Sequence, residues 1–362
     1  MSAPRLDINL DKISHNARML VEDLGDRGIA VTGVTKAALG SLDIAKAMLR
    51  AGMSGLGDSR IENIEAMRQQ RISAPIMLIR SPMLSQVERV VRNADISFNT
   101  ELSVVRRLSA AAEEAERSHG IVLMVELGDL REGILPEDLV SAAREVVRLP
   151  SLELTGIGTN LACHSGMAPD ADNMGALSAL ADRVEAELDV KLALISGGNS
   201  ANLDWALSNS ATGRINHLRL GEAIFLGCEP LHREPVDGLH TDAITLVAEV
   251  IESKTTPSLP WGTLAETAFG GDVISTDSGA MARAILAVGE QDLDPDGLVP
   301  PEGLTILGAS GDHLLLDCGK QHLRVGDEVR FGVNYSALVR AMTSPFVEKK
   351  MIRAIKHTRS AG

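Results

Sequence analysis

Lys36 closes a short apolar run, Ala30-Val31-Thr32-Gly33-Val34-Thr35-Lys36, and a turn containing Gly40 follows it. Two β-branched valines in a run bounded by a turn read as a buried strand that delivers one ammonium group to its C-terminal edge. Most lysines are solvated surface charges. One that ends an apolar strand is rarer, because a buried ammonium without a partner is costly. Such a lysine commonly has a lowered pKa or a covalent partner, and both belong to amine chemistry such as Schiff-base formation.

A second stretch suits an anion. Ser196-Gly197-Gly198-Asn199-Ser200 follows the apolar Leu192–Ile195 and opens a helical segment. Glycines let backbone amides approach a ligand, a helix N-terminus favours negative charge, and a serine hydroxyl adds a donor. Arg219-Leu220-Gly221-Glu222 supplies further amides after the next apolar run. A helix cap and a tight turn would explain Ser200 alone equally well. A reactive amine and an anion cradle together suit pyridoxal 5′-phosphate, whose aldehyde takes a lysine and whose phosphate needs an anchor.

These residues need a frame. Between residues 30 and 220 short apolar runs alternate with helical segments, and the runs end at Lys36, Asp58, Arg80, Asn99, Arg131, Asn160, Ser196 and Arg219. Continuous apolar runs, as opposed to alternating ones, are expected of strands buried on both faces. This repetition predicts an α/β fold, a (β/α)8 TIM-type barrel with its chemistry at the C-terminal strand ends. Loops after the seventh and eighth strands are where such barrels often hold a phosphate. Beyond Glu229 the rhythm changes to β-rich pieces separated by Gly, Pro and Asp clusters. A smaller, mainly antiparallel β domain should therefore follow. The expected division is 1–235 and 236–362, with residues 1–10 free to pack with the second domain. The basic stretch from Lys349 to Arg359 reads as a solvated end.

Composition narrows the partners. The formal net charge of −14 over 362 residues argues against nucleic acid, since phosphate backbones call for a basic face. Three widely spaced cysteines, Cys163, Cys228 and Cys318, suit free thiols in a reducing compartment. The N-terminus lacks an apolar signal core and no run has membrane-spanning length. A cytoplasmic protein without a membrane partner is expected, and no metal site is assigned. Tyr335 is the one tyrosine.

The motifs together resemble the alanine-racemase-type, fold-type III pyridoxal-phosphate enzymes along nearly the whole chain. Val34-Thr35-Lys36-Ala37 is similar to the cofactor-lysine motif, Asn199-Ser200 to the phosphate-binding pair, and Arg219-Leu220-Gly221 to the family's Arg-Pro-Gly. The resemblance implies that Arg219 faces the ring nitrogen and that Arg131, in Gly128-Asp129-Leu130-Arg131-Glu132-Gly133, faces the phenolic oxygen. It further implies that Tyr335, in Val333-Asn334-Tyr335, reaches the phosphate. Ser196, Asn160 and Glu222 complete the expected cofactor surroundings. Gly158-Thr159-Asn160-Leu161-Ala162-Cys163 and Tyr335-Ser336-Ala337-Leu338-Val339-Arg340 are most similar to the ornithine-racemase-like branch.

The resemblance implies racemisation of a free amino acid, a basic one such as ornithine or lysine, with Lys36 as one acid/base and a homodimer sharing its sites. Alanine racemases carry a tyrosine base in the second domain, yet the corresponding Val288-Gly289-Glu290-Gln291-Asp292 has none. For the opposite face the candidates are His313, first for its intrinsic pKa, then Glu290, Asp292 and Cys163. Asp312 suits a substrate amino group, while Glu290 and Asp292, as loop acids, suit a cationic side chain. The competing readings are an alanine or broad-specificity racemase, a fold-III decarboxylase and a non-enzymatic pyridoxal-phosphate carrier. The last resembles the barrel alone.

Overall fold

The computed structural model describes residues 4–263, 265 and 279–353. The chain divides into two compact units: Asp11–Thr241, and the segment up to Leu10 together with the chain from Asp242 onward. β1 (Arg5–Asn9) begins in the latter and runs into α1 (Leu10–Gly25).

The first unit is a closed barrel of eight parallel strands. They are β2 (Ala30–Val34), β3 (Gly55–Asp58), β4 (Ile76–Leu78), β5 (Ile96–Asn99), β6 (His119–Met124), β7 (Leu152–Gly158), β8 (Leu194–Gly198) and β9 (His217–Leu220). Helices follow in turn: α2 (Leu42–Arg50), α3 (Ile61–Gln69), α4 (Val87–Asn93), α5 (Leu102–Glu114), α6 (Leu139–Arg148), α7 (Ala171–Leu188), α8 (Leu203–Leu207) and α9 (Glu222–Leu226). The order is that of right-handed βα units laid side by side. Closure pairs Thr32 with Arg219 and Gly33 with Leu220. α6 illustrates the helical logic: it buries Leu139, Val140, Ala142, Ala143 and Val146, one face at helical spacing, and stops just before Pro150. Inside the barrel Met77, Phe98, Val122 and Met124 form an apolar cluster. Gly156 of β7 has no room for a side chain, since a Cβ there would lie 1.9 Å from the Leu194 carbonyl oxygen.

The second unit is a mainly antiparallel sheet built from β10 (Ile244–Pro257), β11 (Ala280–Leu286), β12 (Leu298–Val299), β13 (Thr305–Ala309), β14 (Leu314–Asp317) and β15 (Glu328–Val333). Their order is β12-β15-β10-β11-β14-β13. Two elements are not individually expected in this mainly antiparallel β unit. α10 (Tyr335–Thr343) forms because Asn334 caps it, accepting from the Ala337 amide at 2.9 Å, and because Ala337, Leu338, Ala341 and Met342 share a buried face. β16 (Glu348–Ile352) corrects the reading of Lys349–Ile352 as a solvated end: it pairs in parallel with β1, which also pairs antiparallel with β10. Backbone pairing holds this strand despite its two lysines. Lys356, His357 and Arg359 lie outside the described residues. Arg5, 3% exposed, locks the same sheet through Asp7 at 3.0 Å and Glu328 at 2.5 and 2.7 Å. Among the described residues no helix is long and apolar enough to cross a membrane.

Candidate active site

The barrel places Lys36 directly after β2, as the first residue of a 3-10 turn, Lys36–Ala38. Its side chain is exposed, not buried as the apolar run suggests. The physical reason is the turn: Val34 and Thr35 stay inside, and the chain bends so that the ammonium leaves the core and remains hydrated. Thr35, the turn's first flanking residue, donates its hydroxyl to Asp58 Oδ2 at 2.7 Å.

The two anion-suited loops are tied together. Asn199 caps the turn Ser200–Asn202 by accepting from the Ala201 amide at 2.7 Å, and Asn202 Oδ1 accepts from the Asn199 amide at 3.0 Å. The buried Ser200 hydroxyl accepts from the Ala223 amide of α9 at 3.2 Å, bridging the loops after β8 and β9. Two glycines make room there. Gly198 has φ +147°, and a Cβ on it would fall 2.1 Å from Asn202 Oδ1. A Cβ on Gly221 would fall 3.1 Å from the Val34 carbonyl oxygen, against the strand that leads to Lys36. Glu222, half-buried beside Gly221, has its carboxyl pushed up, by burial first, against the pull of Arg233 and Lys36.

Arg219 lies inside the barrel, 5% exposed, with its guanidinium 4.8 Å from the centroid of the Phe98 ring. One Nη donates to Ser196 Oγ; the other donates to the Thr159 carbonyl at 2.8 Å and to Asn160 Oδ1 at 3.3 Å. All of these acceptors are neutral, and among the described residues Arg219 forms no ion pair. Burial lowers its pKa to about 10, which leaves the charge in place at neutral pH. Behind Ser196 stands His217, whose Nδ1 is 2.9 Å from Ser196 Oγ and whose Nε2 is 2.8 Å from Thr32 Oγ1. Burial pushes His217 down to about 3, so the imidazole is neutral. Ser196 already accepts from Arg219, so its own proton goes to Nδ1, and Nε2–H donates to Thr32. A buried cation is thus held by a chain of neutral groups.

The loops after β6 and β7 meet beside this cation. Asp129, buried, accepts from the amides of Cys163, His164 and Ser165 at 3.1–3.2 Å. Asn160 Nδ2 points at Cys163 Sγ at 3.0 Å, and Asn199 Nδ2 bridges Asn160 Oδ1 and the Leu161 carbonyl, both at 3.0 Å. Arg131 pairs with Glu132 at 2.5 Å and keeps about a third of its side chain exposed. Leu39, Leu130 and Ala162 carry φ of 51°, 53° and 58°, left-handed values without glycine, in the loops after β2, β6 and β7.

Lys36, Arg131, Asn160, Cys163, Ser196, Asn199, Ser200, Arg219, Gly221 and Glu222 all belong to the barrel unit and lie at or just beyond the C-terminal strand ends. Glu290, Asp292, Asp312, His313 and Tyr335 belong to the sheet unit. There the Glu290 amide donates to the Ser310 carbonyl and the Gln291 amide to that of Gly311, so Glu290 and His313 occupy paired loops. His313 Nδ1 is 2.6 Å from Asp312 Oδ1, with both side chains substantially exposed. Asp292 is not the exposed loop acid suggested by its surroundings. It is 5% exposed and accepts from Ser344 Oγ at 2.7 Å, because its loop folds back onto the end of α10. Tyr335 is the first residue of α10 and half-buried.

Comparison with known proteins fits this arrangement. The sequence model of the alanine racemase N-terminal domain matches residues 8–229. The chain belongs to this family. A lysine racemase of Thermotoga maritima is 39% identical over 352 residues, covering 96% of the chain and 98% of that protein. An ornithine racemase of Acetoanaerobium sticklandii is 36% identical over 354 residues, covering 96% and 99%. Among solved structures, the alanine racemase of Streptomyces coelicolor superposes with a TM-score of 0.77 at 20% identity over 96% of the chain and 97% of its own. That likeness shows the racemase fold, a barrel followed by a β domain.

Sequence reasoning missed His217 and Thr32, which stand behind Ser196 and Arg219. One signal was available: His217 and Arg219 are two residues apart in a strand, so they face the same side, the barrel interior.

Proposed function

We propose that the protein is a pyridoxal-phosphate-dependent amino-acid racemase acting on a free amino acid with a basic side chain. The observation that carries this reading is the likeness, over 96% of the chain, to a lysine racemase and an ornithine racemase. The residues fit the cofactor on their own terms. An accessible amine follows one strand, glycine-lined loops joined by Ser200 follow two others, and a buried guanidinium with no carboxylate partner among the described residues lies inside the same barrel.

Lys36 would hold the cofactor through Nζ. Ser200, Asn199, Tyr335 and the backbone amides of Gly221 and Glu222 would take its phosphate end, Arg219 its ring nitrogen with Ser196 behind it, and Arg131 with Asn160 the phenolic side. When bound, the cofactor supplies an electron sink that acidifies the α-carbon of the attached amino acid. Lys36 Nζ moves the α-proton on one face. His313 is the acid/base for the other: with Nδ1 bonded to Asp312, its Nε2 is the free nitrogen, an arrangement that fixes tautomer and orientation. Glu290 stands second for that role. Cys163 and the Asp312 carboxylate contact the substrate in this reading; Asp292, held by Ser344, contributes charge to that side without direct contact. The active form is a homodimer in which the sheet unit serves a shared site, and the protein works in the cytoplasm.

The test is purified protein incubated with single-enantiomer amino acids in deuterated water, followed by chiral separation. Deuterium at the α-carbon and racemisation strongest with ornithine or lysine are expected, with both lost in Lys36→Ala. Turnover strongest with alanine would replace the substrate assignment by the broad reading. No exchange on any amino acid would leave only a cofactor carrier. Mixing inactive Lys36→Ala and His313→Ala variants checks the shared site, because a mixed dimer restores one intact set.

A further inference from the structure

Asp58 is a fully buried carboxylate that no part of the proposed chemistry uses. Among the described residues it has no ion-pair partner. Its Oδ1 accepts from the Arg60 amide at 2.9 Å and from Asn63 Nδ2 at 3.0 Å, and its Oδ2 accepts from Thr35 Oγ1 at 2.7 Å. A buried charge held only by neutral donors is costly and needs each of them. Two of these partners, Thr35 and Asn63, border the turn that carries Lys36.

Threonine at the residue before a helical turn ordinarily accepts from the turn's own amides. Thr35 does not: it makes no side-chain cap, and its hydroxyl donates to Asp58 instead. The far side of the turn is fixed by the same group. Gly40, at φ +66°, packs so closely on α3 that a Cβ would lie 2.7 Å from Asn63 Cβ, and Asn63 is the residue that donates to Asp58. The Gly40 amide returns to the Thr35 carbonyl at 3.3 Å, closing the loop. Both ends of the six-residue stretch Thr35–Gly40 are therefore referred to one carboxylate.

We infer that Asp58, acting through Thr35 and Asn63, is a positioning residue that sets the direction in which Lys36 leaves the barrel. The inference rests on the proposed role of Lys36. It adds that the accessible amine is not a free surface side chain, because its backbone is clamped from a buried anion one strand away. Removing the Thr35 hydroxyl deletes the hydrogen bond to the carboxylate while keeping the β-branched shape.

The experiment uses the full chain freed of cofactor. It compares wild type, Thr35→Val, Thr35→Ser, Asp58→Asn and Lys36→Ala. The rate of covalent capture of pyridoxal 5′-phosphate is followed by absorbance, as the Nζ–carbon bond forms and one water leaves. The linkage is then reduced with borohydride and located by peptide mass spectrometry. Equilibrium binding of pyridoxine 5′-phosphate, which lacks the aldehyde, is measured in parallel. Thr35→Val and Asp58→Asn should slow capture by about tenfold, the loss of one hydrogen bond to a charged group. Pyridoxine 5′-phosphate binding should be unchanged, and Thr35→Ser should restore the rate. Wild-type protein that is not labelled at Lys36 would overturn the proposed function itself. Labelling at Lys36 with an unslowed Thr35→Val would overturn the clamp alone. So would an equal loss of both ligands, which would make Asp58 a merely structural residue.

Discussion

The chain Arg219–Ser196–His217–Thr32 gives the sharpest test of the barrel interior. Ser196→Ala removes one hydroxyl and strands two buried groups, the Arg219 Nη1 donor and the His217 Nδ1 acceptor. Ser196 and His217 are at most 2% exposed and Arg219 is 5% exposed, so water cannot readily replace the lost partner. A hydrogen bond to a charged group contributes about 1.5–3 kcal/mol, and an orphaned neutral acceptor costs about 1–3 kcal/mol. The variant should therefore lose roughly 3–5 kcal/mol, measured by urea unfolding of the cofactor-free protein. His217→Leu should cost a similar amount by stranding Ser196 and Thr32. Together the two changes should cost at least about 1 kcal/mol less than their sum, because the second removes a group the first had already orphaned. Additivity to within about 0.5 kcal/mol would refute the shared chain and the tautomer drawn from it.

Two further outcomes follow from burial. His217 is pushed down to about 3 and His119 to about 4, both mainly by desolvation, against an unfolded value near 6.5. The unfolded chain then binds more protons than the native one below pH 6.5, so stability is complete above that pH and lost as it falls. Each histidine should contribute about 1.4 kcal/mol per pH unit between roughly pH 6 and 4, and His217→Gln should reduce the slope of stability against pH by about one proton. An unchanged slope would mean that His217 is not neutral and buried. Gly156→Ala places a carbon where the Leu194 carbonyl oxygen already stands. The strand must move, and a loss of more than about 2 kcal/mol, or failure to accumulate folded protein, is expected in thermal unfolding.

Much of this protein was legible in its residues. The βα repetition and the apolar strands fix the barrel, because burial on both faces leaves only continuous apolar runs. The change to Gly- and Pro-punctuated β pieces announces the second unit, and the motifs around Lys36, Asn199-Ser200 and Arg219 name the family. Local chemistry sufficed for these because each is a property of neighbours in sequence.

Other features depend on residues far apart in the chain. Whether Lys36 is buried depends on where its turn points, and that is settled by Asp58 and Asn63 of the next βα unit. Asp292 looks like a loop acid until the end of α10 folds over it and Ser344 takes its carboxylate. The lysines of β16 look like a frayed end until β1, more than 330 residues earlier, offers a free edge. His217 reads as one more strand residue until the barrel closes and sets it behind Ser196. Sequence patterns encode burial and periodicity, which are short-range. The partner of a polar group is chosen by closure of the barrel and sheet, and only the tertiary structure decides that.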